Sequence, residues 1–169
     1  MEDSAELFEL VDKNRNYLKQ WLPWLDHVKQ STDSENFIKS TIQQEKSDGS
    51  PTFAILYLSK IIGVIGFHPL NRGNDIGEIG YWLSEHMNGK GIMTFCCKHL
   101  VEIGFNKLKL NRIQIPAGEF NKKSRAIPER LGFKFEGIIR SREKLYGNYI
   151  NHAMYSLLKN EFSTFLTKP

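Results

Sequence analysis

Cysteine is scarce in this chain of 169 residues, and no long apolar run occurs in it. The two cysteines, Cys96 and Cys97, are neighbours in a helical pattern, so their side chains point to different faces. This disfavours a disulfide or a metal site and is typical of the reducing cytoplasm. No run approaches the ~20 apolar residues that a membrane-spanning helix needs. The acidic start of the chain, residues 1–6, differs from the basic start of a secretory signal. We therefore expect a cytoplasmic protein that has no metal and does not enter a membrane.

Acidic residues are outnumbered by basic ones, 19 to 23, which gives a net charge of +4 and an isoelectric point of about 9.0. The basic residues are spread along the chain and form no block, so we expect no direct nucleic-acid contact. Two interpretations of the excess charge remain: a solvated surface, or attraction of an anionic ligand or an acidic protein. The length favours one self-sufficient domain over residues 1–169.

The spacing of apolar residues divides the chain into helical and extended segments. Helices are predicted over 5–18, 34–44, 92–108 and 124–131, and strands over 53–58, 61–67, 76–83, 112–115, 133–140 and 152–158. The order strand, helix, strand across 76–116 predicts a parallel crossover. We therefore expect an α/β (α+β) domain with helices flanking one central mixed sheet.

Several local features between these segments carry predictions of their own. Asp33 or Ser34 is available as the N-cap of the second helix, and residues 45–51 are the expected loop. Trp21 and Trp24 lie close together in the sequence, and they form either a corner of the core or the wall of a substrate cleft. Exposure of either tryptophan would indicate a protein-docking surface or a homodimer contact.

The most informative segment, Asn88-Gly89-Lys90-Gly91, lies between a predicted strand and a predicted helix. Glycines there allow consecutive backbone N–H groups to turn toward one point. The following helix aims its unpaired N–H groups and its positive dipole end at the same point. This pattern predicts a pyrophosphate site, to which Lys90 adds charge if its side chain reaches back. The alternative is a glycine-rich connection without a ligand. Neither the NTPase motif Gly-x-x-x-x-Gly-Lys-Ser/Thr nor the dinucleotide motif Gly-x-Gly-x-x-Gly occurs.

Residues 86–91, His-Met-Asn-Gly-Lys-Gly, resemble the cofactor motif Gln/Arg-x-x-Gly-x-Gly/Ala of the GNAT acetyltransferases, with His86 in the Gln/Arg place. Other motifs resemble the RimJ/RimL type, which acetylates the N-termini of ribosomal proteins. They are Gly80-Tyr-Trp-Leu83, Asn121-x-x-Ser124, Pro128-Glu-Arg-Leu-Gly-Phe133, Glu136-Gly137, Arg140 and Met154-Tyr-Ser-Leu-Leu158. The resemblance covers almost the whole chain. It implies the GNAT fold, with a mostly antiparallel sheet, and acetyl-CoA as the acetyl donor.

GNAT chains usually begin with a strand, whereas this chain starts at its first helix. The resemblance thus implies a single domain that lacks this strand and leaves one sheet edge bare. It also implies a set of cofactor-binding residues: Leu83, His86, Met87, Asn88, Gly89, Lys90, Gly91, Ile92, Met93, Thr94, Asn121 and Ser124. Backbone N–H groups on the strand ending at Leu83 would stabilise the oxyanion.

The resemblance further implies a catalytic pair. Glu143 would accept a proton from the substrate ammonium, and Ser124 would return one to the thiolate. Residue chemistry alone leaves alternatives, because Ser124 could be a helix N-cap and Glu143 a solvated charge within residues 141–144. Glu78 is the reserve base. Pro128 removes one helical hydrogen bond and leaves the carbonyl of Ser124 free for another partner. Asn151-His152 stands where an Asp-His pair is common in the family, and we assign catalysis to neither residue.

The acceptor is expected to be the N-terminal α-amine of a protein, which the resemblance implies is a ribosomal protein, in a direct transfer within a ternary complex. An α-amine with a pKa of about 7.7–8 costs only about 1 kcal/mol to neutralise at pH 7. A lysine or polyamine amine with a pKa of about 10.4 costs about 4–5 kcal/mol. The alternatives are a small amine or polyamine as acceptor and a non-catalytic acyl-CoA-binding module.

Overall fold

The structure, a computed structural model, describes residues 2–166. The helices are α1 (Glu2–Lys13), α2 (Arg15–Leu18), α3 (Ser31–Asp48), α4 (Ile92–Asn106), α5 (Lys122–Leu131) and α6 (Phe162–Leu166). The strands are β1 (Thr52–Tyr57), β2 (Lys60–Phe67), β3 (Ile76–Leu83), β4 (Arg112–Gly118), β5 (Lys134–Leu145) and β6 (Asn148–Leu158). Short 3-10 turns lie at Pro23–His27, Glu85–Met87 and Lys159–Glu161.

The six strands form one sheet in the order β1-β2-β3-β4-β6-β5. Only β3 and β4 pair in parallel, and α4 makes the crossover between them. All other neighbouring strands are antiparallel. The expected mixed, mostly antiparallel sheet with one parallel crossover is therefore confirmed. Among residues 2–166, no helix combines the length and the apolar character that crossing a membrane requires.

Helices cover both faces of the sheet, and alternation along β3 separates one larger core from two smaller ones. Ile79 and Leu83 on β3 pack with α4 and α5 in the larger core, to which Tyr155 on β6 also belongs. Trp82 faces the opposite side, where it packs against residues of α1 and α2 in two smaller cores. The face of β3 toward the larger core is mostly buried, and the opposite face is half-buried.

The single N-terminal helix predicted over 5–18 is wrong, because the chain breaks at Asn14 into α1 and α2. Asn14 is buried, and its amide nitrogen donates to the Leu10 carbonyl at 2.8 Å. Its amide oxygen accepts from the backbone N–H of Glu85 at 2.9 Å. An asparagine side chain that bonds to backbone groups competes with helix propagation. Here it ties the first helices to the connection that follows β3.

Helix α3 is longer than predicted at both ends. It begins at Ser31 after the N-cap Gln30, so neither Asp33 nor Ser34 is the cap. Asp33 instead accepts from the backbone N–H of Gln30 at 3.0 Å, which satisfies a donor at the helix start. The helix runs to Asp48 and ends at Gly49, whose φ of 80° fits glycine. The predicted loop over 45–51 is therefore mostly helical.

Strand β1 is not the buried strand that its apolar composition predicts. It lies at an edge of the sheet, and only Ile55 is buried among its six residues. Phe53, Leu56 and Tyr57 are exposed. Composition does not reveal that a strand is at an edge, because this depends on which strands pair. The single domain over 1–169 and the absent first strand stay predictions.

A compact ion pair holds β4 to β5 across the end of β6. Arg112 donates from Nη1 and Nη2 to the two carboxylate oxygens of Glu136, at 2.6 and 2.5 Å. Ser156 on β6 donates its hydroxyl to Glu136 Oε1 at 2.7 Å. The hydrogen bonds from Arg112 are the main reason that the pKa of Glu136 falls from 4.5 to about 2.

This pair predicts acid sensitivity of the fold. Because the folded-state pKa lies below 4.5, the stabilisation is fully present above pH 4.5 and is lost as the pH falls toward 2. Glu136→Gln should lower the free energy of unfolding by about 1 kcal/mol at pH 7, a value reduced for solvent screening of a partly exposed pair. The deficit should shrink between pH 4.5 and pH 3 in urea titrations. Glu9→Gln on exposed α1 is the control, and a deficit of equal size at pH 3 and 7 would contradict the assignment.

Candidate functional site

The site begins where β3 and β4 separate. Their parallel pairing covers only Ile76–Glu78 and the opposite residues 112–114, after which the strands diverge. Backbone N–H groups of Ser84 and His68 bond across the β2–β3 ladder, so even-numbered residues of β3 point their backbone groups at β2. The backbone N–H groups of Tyr81 and Leu83 therefore point into the wedge between β3 and β4. This is the position expected for the oxyanion donors.

The glycine connection adopts the backbone geometry predicted for an anion site. Gly89 and Gly91 have φ values of 78° and 77°, a region that other residues rarely adopt. A Cβ at either position would meet no atom within 4 Å. Glycine is thus required by the backbone conformation, and the space above the turn is open to a ligand.

The first turn of α4 completes this anion site. Its first intrahelical bond runs from the N–H of Phe95 to the Gly91 carbonyl at 3.0 Å. The N–H groups of Ile92, Met93 and Thr94 precede this bond and have no acceptor inside the helix. No acidic side chain lies in this turn. The free N–H groups and the positive end of the helix dipole therefore favour a phosphate group here. We call residues 88–94 the phosphate cradle.

Some side chains predicted to bind the cofactor are directed away from the open space above the phosphate cradle. Asn88 donates to the carbonyls of Ser84 and Glu85 at 3.0 and 2.9 Å and so fixes the turn. Lys90 Nζ lies 3.5 Å from Met87 Sδ, against the connection itself. His86 is exposed and lines neither of the cavities described below.

A cation that the sequence analysis missed lies beside the phosphate cradle. Arg130, near the end of α5, donates to the hydroxyl of Thr94 at 3.0 Å from Nη2 and 3.3 Å from Nε. This contact joins residues 36 positions apart, and no local pattern indicates it. It places a guanidinium group next to the free N–H groups of α4.

The start of α5 corrects the assignment of the helix cap. Asn121 is the N-cap, and its side-chain oxygen accepts from the N–H of Ser124 at 3.1 Å. The N-cap interpretation of Ser124 is therefore wrong, because the helix begins two residues earlier, at Lys122. The Ser124 hydroxyl is free of capping and donates to the hydroxyl of Tyr81 at 3.2 Å.

Tyr81 also accounts for the carbonyl freed by Pro128. Pro128 lies inside α5, and Tyr81 donates its hydroxyl to the Ser124 carbonyl at 3.1 Å. The prediction that this carbonyl finds another partner is confirmed. Burial raises the pKa of Tyr81 far above its ordinary value, so the phenol stays neutral. Tyr81 belongs to the quoted Gly-Tyr-Trp-Leu motif, yet its contact with Ser124 could not be read from spacing.

Two cavities meet at the Ser124–Tyr81 pair. The small cavity, about 90 Å³, is lined by Tyr17, Leu18, Trp21, Leu22, Tyr81, Trp82, Leu83, Asn88, Met93, Asn121, Lys123, Ser124 and Ile127. The large cavity, about 430 Å³, is lined by Trp21, Leu22, His68, Glu78, Ile79, Gly80, Tyr81, Pro116, Ala117, Gly118, Asn121, Ser124, Arg142, Glu143, Ile150 and His152. The residues that line both cavities are Trp21, Leu22, Tyr81, Asn121 and Ser124. The divergent ends of β3 and β4 therefore lie between the two cavities.

The two tryptophans differ: one lies in the wall of a cleft and the other in the core, the two positions considered for them from the sequence. Trp21 is half-buried, lines both cavities and lies against Gly118, where a Cβ would come within 3.1 Å of the indole ring. Trp24 is also half-buried and packs on Trp82, with ring centroids 6.2 Å apart. Trp21 is therefore a cleft wall and Trp24 a core residue.

The two candidate bases have different partners in the large cavity. Glu78 accepts from Arg142 Nη2 at 2.6 Å and from Gln114 Nε2 at 2.7 Å. Glu143 Oε2 lies 3.2 Å from Nε2 of His152, and the side chain is 32% exposed. Glu143 is thus no freely solvated charge, because its carboxylate contacts an imidazole, while Glu78 is neutralised by a guanidinium.

A bulge in β5 brings Arg142 and Glu143 to the cavity. The register runs from Ile139 opposite His152 to Glu143 opposite Ile150, so residues 140–142 face one residue of β6. That residue, Asn151, accepts from the backbone N–H of Ser141 at 2.9 Å, where φ is 51°. Asn151 therefore holds the bulge. The tip of the β5–β6 hairpin is fixed in turn, since the hydroxyl of Tyr146 donates to the Leu22 carbonyl at 2.7 Å.

The structure therefore brings the predicted residues together in two groups, one at the phosphate cradle and one at the cavities. Leu83, Asn121 and Ser124 line the small cavity between them. Both predicted cysteine positions are confirmed as helical: Cys97 is buried and Cys96 half-buried, and both thiols are free. Among residues 2–166 no group of three or more His, Cys, Asp or Glu side chains could hold a metal ion.

Comparison with known proteins gives consistent findings. The sequence model of the family described as "Acetyltransferase (GNAT) domain" matches residues 1–134. The chain is 37% identical over 163 residues to the putative ribosomal N-acetyltransferase YdaF of Bacillus subtilis (strain 168), covering 95% of this chain and 88% of YdaF. The structure is similar to that of the Microcin C7 self immunity acetyltransferase MccE in complex with acetyl-CoA and AMP, with a TM-score of 0.88, 30% identity and coverage of 93% and 87%. It is similar to the ribosomal L7/L12 alpha-N-protein acetyltransferase RimL in complex with coenzyme A, with a TM-score of 0.88, 27% identity and coverage of 93% and 89%.

Proposed function

The chain belongs to the GNAT acetyltransferase family, and we propose that it transfers an acetyl group from acetyl-CoA to the N-terminal α-amine of a protein, a ribosomal protein in the first instance. The observation that carries this proposal is that the small cavity, which Asn88 and Met93 of the phosphate cradle line, shares Tyr81 and Ser124 with the large cavity that contains Glu143. A ribosomal acceptor also requires the cytoplasmic location expected from the sequence. The homodimer stays a prediction.

The residues of the cradle fit the donor. The open space at Gly89 and Gly91 and the free N–H groups of Ile92, Met93 and Thr94 suit a pyrophosphate. Around them, His86, Met87, Asn88 and Lys90 complete the predicted set. Arg130 adds positive charge beside the cradle through its contact with Thr94. Lys90 contributes less, because its side chain is directed at Met87. The small cavity then receives the thioester end, with the N–H of Leu83 as the oxyanion donor.

The charge of the large cavity, the proposed site of the acceptor, suits one ammonium group. With neutral histidines, it contains two carboxylates and one guanidinium, a net charge of −1. A protein N-terminus carries one positive charge, which matches this balance. A polyamine carries several positive charges. Those beyond the first would lie near the guanidinium of Arg142, which repels them. The net charge of the cavity therefore supports an α-amine over a polyamine.

The proposed chemistry transfers acetyl directly within a ternary complex. Glu143 accepts one proton from the ammonium, and the neutral amine forms the C–N bond as the C–S bond breaks. The second amine proton reaches the sulfur through the hydroxyl of Ser124, which Tyr81 holds in place. An acyl-enzyme through cysteine has no support, because Cys97 and Cys96 line neither cavity and burial raises the pKa of both thiols.

The function is tested by supplying labelled acetyl-CoA with a panel of amines. The panel contains N-terminal peptides of ribosomal proteins, the same peptides with a blocked α-amine, and spermidine. We expect label in the free peptides and none in the blocked ones, because only the α-amine would react. Faster labelling of spermidine would favour the small-amine alternative. Coenzyme A binding without transfer to any amine would favour the non-catalytic module.

The base assignment predicts different effects for the two carboxylates. Glu143→Gln should lower kcat by about 10²–10⁴-fold, because general-base catalysis is lost, and leave the Kd for coenzyme A unchanged. Glu78→Gln is the matched control, and we expect a smaller loss because Arg142 already neutralises Glu78. Turnover with the peptide substrate and calorimetry with coenzyme A measure both quantities. A larger loss in Glu78→Gln than in Glu143→Gln would reverse the assignment.

The position of Arg130 predicts a role in binding the donor phosphates. Arg130→Gln should weaken acetyl-CoA binding by about tenfold, since charge-assisted hydrogen bonds contribute roughly 1.5–3 kcal/mol. Acetyl-pantetheine has no phosphates, so its turnover should be the same in both proteins. Lys107→Gln, at the far end of α4, is the control for a general change of charge. Equal losses with acetyl-CoA and acetyl-pantetheine would mean that Arg130 only braces α4 against α5.

A further inference from the structure

His152 occupies an enclosed position beneath the large cavity. It lies on β6 between its register partners Gly118 on β4 and Ile139 on β5, and only 9% of the residue is exposed. Gly118 has no side chain, and the ring of Trp21 fills the space that one would take. The imidazole is therefore held on a rigid central strand.

The two ring nitrogens of His152 have unequal surroundings. Nε2 lies 3.2 Å from Glu143 Oε2, whereas Nδ1 is buried and has no hydrogen-bond partner among the described residues. A hydrogen on Nδ1 would be a buried donor without an acceptor, and the bare Nε2 would then face a carboxylate. A hydrogen on Nε2 alone gives the carboxylate a donor and leaves only an unused acceptor at Nδ1. The surroundings thus select the neutral tautomer with hydrogen on Nε2.

We propose that His152 is a positioning residue that fixes the carboxylate of Glu143 by a neutral hydrogen bond; this rests on Glu143 being the base. The bond holds Oε2 and leaves the other oxygen for the acceptor ammonium. A cation in the same place would stabilise the carboxylate and weaken it as a base. The nearest cation in the cavity, Arg142, is directed to Glu78 instead. Glu143 is thereby oriented without being neutralised.

The test compares side chains that can and cannot reproduce the Nε2 donor. In His152→Gln, the amide nitrogen can take the place of Nε2, so kcat should stay within about fivefold of the unsubstituted protein. Asn is too short to reach Glu143, and Leu has no donor. His152→Asn and His152→Leu should lower kcat by about 10–100-fold, because a displaced catalytic group loses alignment. The KM for the peptide and the Kd for coenzyme A should change less than about twofold in all three.

A second measurement separates positioning from a structural role. In the Glu143→Gln background, His152→Asn should cause no further loss of kcat, because His152 acts only through Glu143. Equal losses in both backgrounds, or equal losses in the Gln and Asn variants, would overturn the proposal. If His152→Leu does not fold, His152→Asn alone tests the loss of the Nε2 donor. Full activity of Glu143→Gln would instead refute the proposed base, whereas an inactive Glu143→Gln with a fully active His152→Asn refutes the positioning role alone.

Discussion

The divergence of β3 from β4 is the feature around which the candidate site is built. The two strands pair through Glu78 and Gln114 and then separate, which removes one set of ladder bonds and leaves the N–H groups of Tyr81 and Leu83 directed into the gap. Unpaired backbone donors inside a protein are unfavourable unless a ligand accepts from them. Residues from both faces of the sheet line the small cavity beside this gap, with Met93 and Ile127 from α4 and α5 on one face and Leu18 of α2 on the other.

Asparagine side chains fix the segments that border this gap. Asn14 binds the connection after β3, Asn121 caps α5, and Asn151 holds the bulge of β5. In each case an amide replaces a backbone partner that the irregular chain cannot supply. The positions of Ser124 and Glu143 follow from the last two contacts. Side-chain hydrogen bonds thus fix three irregular segments that border the candidate site.

Local pattern was sufficient to predict the elements that border the site and insufficient to predict the contacts between them. The bounds of β3, the crossover helix and the phosphate cradle follow from apolar period and glycine spacing, both of which act within a few residues. The cap of α5 was misplaced because Asn121 and Ser124 are both good capping residues. The contacts of Arg130 with Thr94 and of Glu143 with His152 depend on how distant elements pack, and no short-range pattern encodes them.

The two carboxylates of the large cavity, Glu78 and Glu143, have different partners. Arg142 and Glu143 are consecutive, yet the bulge directs the guanidinium to Glu78 and the carboxylate to His152. If β5 and β6 continued in regular pairing without the bulge, Glu143 would lie opposite residue 148, farther along the hairpin from His152. The bulge therefore does more than bend a strand. It gives the two carboxylates of one cavity partners of different chemistry, a guanidinium for Glu78 and an imidazole for Glu143.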